Sequence, residues 1–134
     1  MLCFIIDTST ELCFLALARK GQILAQRVFP HLNGLSQNLL PSIHEFLSEQ
    51  EFALSDLEMI AVGTGPGSYT GTRVGVAVAK SLAFGLNISV IPFCSTQTCN
   101  LTALAEFLKA ARPVEPEQVL VQYHNQIEKI PLPS

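Results

Sequence analysis

Three short apolar runs open the chain, Leu2 to Ile6, Leu12 to Ala18 and Gln22 to Phe29, and each has the length of a strand. The polar stretch Asp7-Thr8-Ser9-Thr10-Glu11 joins the first two, with side chains that bond nearby backbone in turns. Arg19-Lys20-Gly21 supplies a hairpin turn between the second and third. The period then changes. Leu39, Leu40, Ile43, Phe46 and Leu47 recur at helical spacing after Ser36, a suitable N-cap, although Pro41 falls near the helix start. Ser55-Asp56 predicts a short helical turn. Met59 to Gly63 reads as a buried strand, Thr64 to Thr70 as a glycine-rich loop, and Gly71 to Gly85 as a helix ended by Gly85. Ile88 to Phe93 is a further strand, and Ser95 or Thr96 caps a last helix running to about Ala111.

From Arg112 the pattern breaks up around Pro113, Pro116, Pro131 and Pro133, and only Gln118 to Tyr123 looks like a strand. The expected division is a folded unit over 1–111 and a divergent tail over 112–134. The order β-β-β-α-β-α-β-α, a meander followed by alternating units, predicts an α/β protein with a mixed sheet and helices packed on it.

Composition narrows the function classes. The 134 residues suit one domain with a modest core, and 49% of them are hydrophobic against 14% charged. That excess of apolar residues fits either a face buried in a partner or a core rich in Val, Leu and Ala. A net charge of −3 gives no footprint for direct nucleic-acid binding. No apolar stretch reaches the length of a membrane span, and the N-terminal run meets Asp7 too early for a secretory leader. Cys3, Cys13, Cys94 and Cys99 form no CxxC pair, so buried inert thiols and a cytoplasmic location are expected.

Two features carry candidate chemistry. Glycines at 63, 65, 67 and 71 lie where a strand passes into a helix N-terminus, a geometry that permits close backbone approach and favours an anion. Asp7, Gly65, Gly67 and Ser68 are thus candidate phosphate-binding residues, against the alternative of a tight packed turn. No Lys-Ser/Thr pair follows at the spacing of a Walker loop. In the helix beyond, Gly71, Gly75, Ala79 and Ala83 repeat every four residues. Such a stripe lets another helix or the sheet come close.

The segment Gly65-Pro66-Gly67-Ser68-Tyr69-Thr70-Gly71-Thr72-Arg73-Val74-Gly75 resembles the TsaB (YeaZ) family signature GPGS[FY]TGxR[IV]G. The helix that follows contains Ala79-Lys80, as the family's does. Ile6-Asp7-Thr8-Ser9-Thr10-Glu11 and the helix around Leu39-Leu40-Pro41 are similar to the family in kind and place, and the similarity covers roughly residues 1 to 108. The resemblance implies a single actin/sugar-kinase/Hsp70-like lobe, with most of the family's second lobe lacking. It implies a non-catalytic, cytoplasmic subunit for tRNA threonylcarbamoyl-adenosine synthesis. Its partners would be a catalytic TsaD-type subunit, a TsaE-type ATPase in the larger complex and a possible second copy, with tRNA reached only through the complex. The implied interface comprises Leu39, Ile43, Gly71, Arg73, Gly75, Ala79 and Ala83.

The departures concern chemistry. Ser9 stands where active superfamily members carry glycine in D-x-G-[ST], which leaves Asp7 the task of capping the turn. The HxxxH metal motif of the catalytic partner is missing, since His31 and His44 are too far apart, Leu35 replaces a frequent histidine, and His124 lies in the tail. No cofactor or metal is expected. A glycoprotease-like peptidase or a nucleotide-binding enzyme remains the alternative, with Ser68 or Thr70 as the nucleophile in the first case, but no His/Asp constellation stands beside either residue.

Overall fold

A computed structural model of the chain describes residues 2–30, 35–95, 101–123 and 126–129. Strands β1 (Leu2–Asp7), β2 (Leu12–Arg19) and β3 (Gln22–Pro30) form the opening meander. Helix α1 (Leu35–Glu49) and a 3₁₀ turn (Leu54–Asp56) lead to β4 (Met59–Gly63). Helix α2 (Tyr69–Leu86), β5 (Ser89–Phe93) and α3 (Leu101–Ala110) follow, and then a further 3₁₀ turn (Pro116–Gln118), β6 (Leu120–Tyr123) and β7 (Gln126–Lys129).

The main sheet has the order β3-β2-β1-β4-β5. β1 pairs antiparallel with β2 and parallel with β4, and β4 is parallel to β5. This mixed α/β sheet with its helices is the single lobe expected. β1 and β4 are buried at every position, which explains their continuous apolar runs. The β2–β3 turn uses Lys20 and Gly21, both at positive φ, as a two-residue hairpin of the primed kind requires.

Alternation along β1 divides the core. Leu2, Phe4 and Ile6 face Leu39, Ile43, Phe46 and Leu47 of α1 and Val76, Ala79 and Ala83 of α2. Cys3 and Ile5 face the other way, onto a cluster that includes Leu104 of α3. Arg27 on β3 reaches back over the Phe46 ring at 5.5 Å and bonds Glu49, while Glu45 lies 3.7 Å away. These contacts are at the surface and are worth under ~1 kcal/mol each.

Several boundaries differ from the sequence expectation. α1 begins at Leu35, so Ser36 lies inside it. α2 starts at Tyr69 because Ser68 caps it, and it ends through Asn87 in the left-handed conformation (φ 57°), not through Gly85. Ser95 bonds Gly65, and the start of the last helix, expected at Ser95 or Thr96, runs into residues 96–100, which lie outside the described residues. The tail contains a second strand, β7, paired antiparallel with β6. Val114 bridges to Val90 at the β5 edge, and Val119 is fully buried in the α1/α2 cluster. His31, Cys99 and His124 also fall outside the described residues.

Candidate functional site, a turn locked into a glycine loop

The parallel strands β1 and β4 bring Asp7 and Gly63 to the same end of the sheet, beside Phe93 at the end of β5. Open α/β sheets gather ligand sites at this end. Here it holds a densely bonded joint between the turn after β1 and the glycine loop before α2.

Asp7 is only 4% exposed, and its carboxylate accepts the Ser9 N–H at 3.0 Å and the Ser95 hydroxyl at 3.3 Å. Asp7 therefore caps its own turn. Ser9 C=O accepts the Ser68 N–H at 2.8 Å, and the Thr8 hydroxyl donates to the Gly71 carbonyl. Ser95 fastens the loop from the β5 side. Its hydroxyl accepts the Gly65 N–H at 2.8 Å, and its own N–H donates to the Gly65 carbonyl at 3.0 Å. Three glycines leave room for three consecutive turn residues. A Cβ at Gly63 would meet the Asp7 carboxylate, one at Gly67 would meet Ser9, and one at Gly75 would meet Thr8, each closer than 3.0 Å.

Asp7, Gly65, Gly67 and Ser68, the candidates for phosphate, do come together. Five amides between Thr64 and Thr72 are nevertheless committed to protein. Thr64 N–H donates to Phe93 C=O, Gly65 N–H to Ser95, Ser68 N–H to Ser9, Gly71 N–H to the Ser68 hydroxyl and Thr72 N–H to the Ser68 carbonyl. An anion bound at any of these five would have to displace its bond. Ser9, at the place of the superfamily glycine, is 1% exposed and fills the corner with its side chain. Its Oγ and that of Thr72 have no hydrogen-bond partner among the described residues. Ser68 Oγ acts as the N-cap of α2, which accounts for its orientation without a nucleophilic role.

Cys3 and Cys13 are buried, as expected of unreactive thiols, whereas Cys94 is exposed, against the expectation. Burial pushes Cys3 up to about 12, and burial followed by the nearby Asp7 charge pushes Cys13 up to about 12. No group of three or more His, Cys, Asp and Glu side chains suited to a metal exists among the described residues.

The expected interface requires correction. Leu39 and Ile43 are 1% exposed, Ala79 and Ala83 are fully buried, and Gly71 and Gly75 are also buried. The small-residue stripe packs on the chain's own sheet and turn and is not open to a partner. Arg73 alone of that set is half-buried. The large apolar side chains left exposed on these helices, among the described residues, are Leu40 (49%) and Phe84 (60%). Phe84 directly follows the buried Ala83, and a helical wheel places it off the inward stripe.

The family described as TsaD: tRNA N6-adenosine threonylcarbamoyltransferase matches residues 28–121. The tRNA threonylcarbamoyladenosine biosynthesis protein TsaB of Haemophilus influenzae is 41% identical over 106 residues, covering 75% of this chain and 40% of that protein. The chain belongs to the TsaB (YeaZ) family. The structure of YeaZ from Pseudomonas aeruginosa superposes with a TM-score of 0.63 at 36% identity, covering 69% of this chain and 43% of that one. The TsaB-family chain thus spans about 40% of the length of the curated relatives it matches. Thermus thermophilus RuvC shares the fold alone, with a TM-score of 0.53 at 15% identity.

Proposed function

We propose that this chain supports tRNA threonylcarbamoyladenosine synthesis as a non-catalytic subunit that docks onto a TsaD-type catalytic subunit. A TsaE-type ATPase belongs to the larger assembly, and tRNA is reached through the complex. The observation that carries the docking surface is the outward face of α2. Arg73, Ala77, Ser81 and Gly85 recur there every four residues, half-buried at the first two and exposed at the last two, with Phe84 beside them. Arg73 is the one charge on this small-residue face, since Lys80 is buried. A partner helix can approach such a face closely, with Phe84 as its apolar anchor. The acidic net charge supports indirect contact with tRNA. The bonded joint around Asp7 supports a structural role at the end of the sheet where an enzyme would bind its substrate.

Light scattering after size-exclusion chromatography, on this chain mixed with the TsaD-type subunit of the same organism, should give a one-to-one complex. Phe84→Glu and Ser81→Glu, both at exposed positions, should abolish it while leaving the fold intact. A complex that survives both changes would remove the α2 face as the docking surface. No complex from folded wild-type proteins at micromolar concentration would remove the docking reading altogether.

A further inference from the structure

On the sheet face away from α1 and α2, a cavity of about 290 Å³ opens between the sheet and α3. Its apolar wall includes Cys3, Met59, Ile91, Ala105 and Leu108. Arg19, Lys20 and Lys109 also line it, three of the chain's eight Lys and Arg residues, whereas no Asp or Glu among the described residues does. The Arg19 guanidinium lies over Phe52, 5.8 Å from the ring centroid. Lys20 and Lys109 supply the charge at the rim. The Lys109 stem runs over the hairpin, its Cδ 3.2 Å from where a Gly21 Cβ would stand, which brings the last turn of α3 to the mouth. Glu58, next to the lining Met59, is turned to the Leu2 N–H at 3.0 Å. The turn after β1 and the glycine loop contribute no residue to this cavity.

We propose that this cavity binds a small amphipathic carboxylate, its apolar body against Met59, Ile91 and Leu108 and its carboxylate at Lys20 and Lys109. Charge complementarity selects an anion, because two lysines flank the mouth and no acidic side chain among the described residues lines it. The volume sits at the lower end of ligand pockets, which selects a short aliphatic body. The site is separate from the α2 face proposed for docking and does not depend on that proposal.

Octanoate serves as the probe, with uncharged octanamide as its neutral counterpart. In protein carrying ¹³C-methyl methionine, the Met59 resonance, assigned with Met59→Leu, should shift saturably with octanoate in the millimolar range. Octanamide should bind about tenfold more weakly or worse. Lys20→Asn suits the positive φ of the turn, and Lys109→Gln preserves the stem over Gly21. Together they should bring octanoate down to the level of octanamide, with an unchanged melting temperature reporting an intact fold. Absence of a saturable Met59 shift, equal binding of the two probes, or undiminished octanoate binding in the double variant would each overturn the proposal.

Discussion

Gly75 and Gly85 both belong to α2, yet a Cβ at Gly75 would collide with Thr8, and one at Gly85 would meet nothing within 4 Å. The first half of the helix is built into the protein. Ser68 caps it, the Thr8 hydroxyl bonds the Gly71 carbonyl, and Val76 and Ala79 pack on the sheet. The last turn keeps Ala83 inward, with Leu86 half-buried against the same cluster, and leaves Phe84 and Gly85 in solvent. One helix therefore uses small residues in two ways: to let its own β1 turn come close at one end, and to leave a smooth outer surface at the other. A docking partner would meet the outer surface from Arg73 to Gly85, which is most open at the second end.

The hardest test of this contrast is Gly75→Leu. The side chain cannot enter without displacing Thr8 and its bond to Gly71, so stability should fall by about 3 kcal/mol or more in urea denaturation. Such a variant tests the fold and not a partner surface, as does Ala79→Leu. Gly75→Ala refines the point. It should cost about 1 kcal/mol less in a Thr8→Ala background than in the parent, because the two residues share one contact. Additive costs would mean that Thr8 is not what Gly75 makes room for.

Asp7 comes next in size. Asp7→Ala strands the buried Ser9 N–H and takes a bond from the Ser95 hydroxyl, a loss of about 1–3 kcal/mol. Asp7→Asn keeps an acceptor oxygen in the same place and should recover most of that loss. Recovery by asparagine identifies a capping role. A cost for asparagine equal to that for alanine would mean that the negative charge itself is needed at this end of the sheet.

The legibility of this joint from sequence was uneven, for physical reasons. Continuous apolar runs such as Leu2 to Ile6 and Met59 to Gly63 marked strands buried on both faces, and the meander and its Lys20-Gly21 turn followed from composition. Asp7 as a turn cap was also readable, because its partner Ser9 is two residues away. Ser95 was not, because its bonds to Gly65 and Asp7 join positions far apart in the chain. The repeat Gly71, Gly75, Ala79, Ala83 announced a small face but not what the face meets, and a strand of the same chain satisfies that pattern as well as a foreign helix. β7 went unseen because Gln-Ile-Glu-Lys carries one apolar residue, too few for a period.

The mildest change probes the open end of α2. Gly85 looked like a helix terminator in the sequence, but the chain stays helical through Leu86 and turns at Asn87, whose N–H closes onto the Ala83 and Phe84 carbonyls. Gly85 is thus an ordinary helical position where glycine's backbone freedom is a cost without a return in packing. Gly85→Ala should raise stability by about 0.5–1 kcal/mol, at the lower end if the last turn frays, read as a higher urea midpoint with an unchanged slope. The same substitution at Gly75 should lower stability, so the pair gives opposite signs on one helix. If Gly85→Ala also destabilised the chain, the outer surface of α2 would be covered within the molecule. The docking face would then have to be sought around Leu40 on α1 instead.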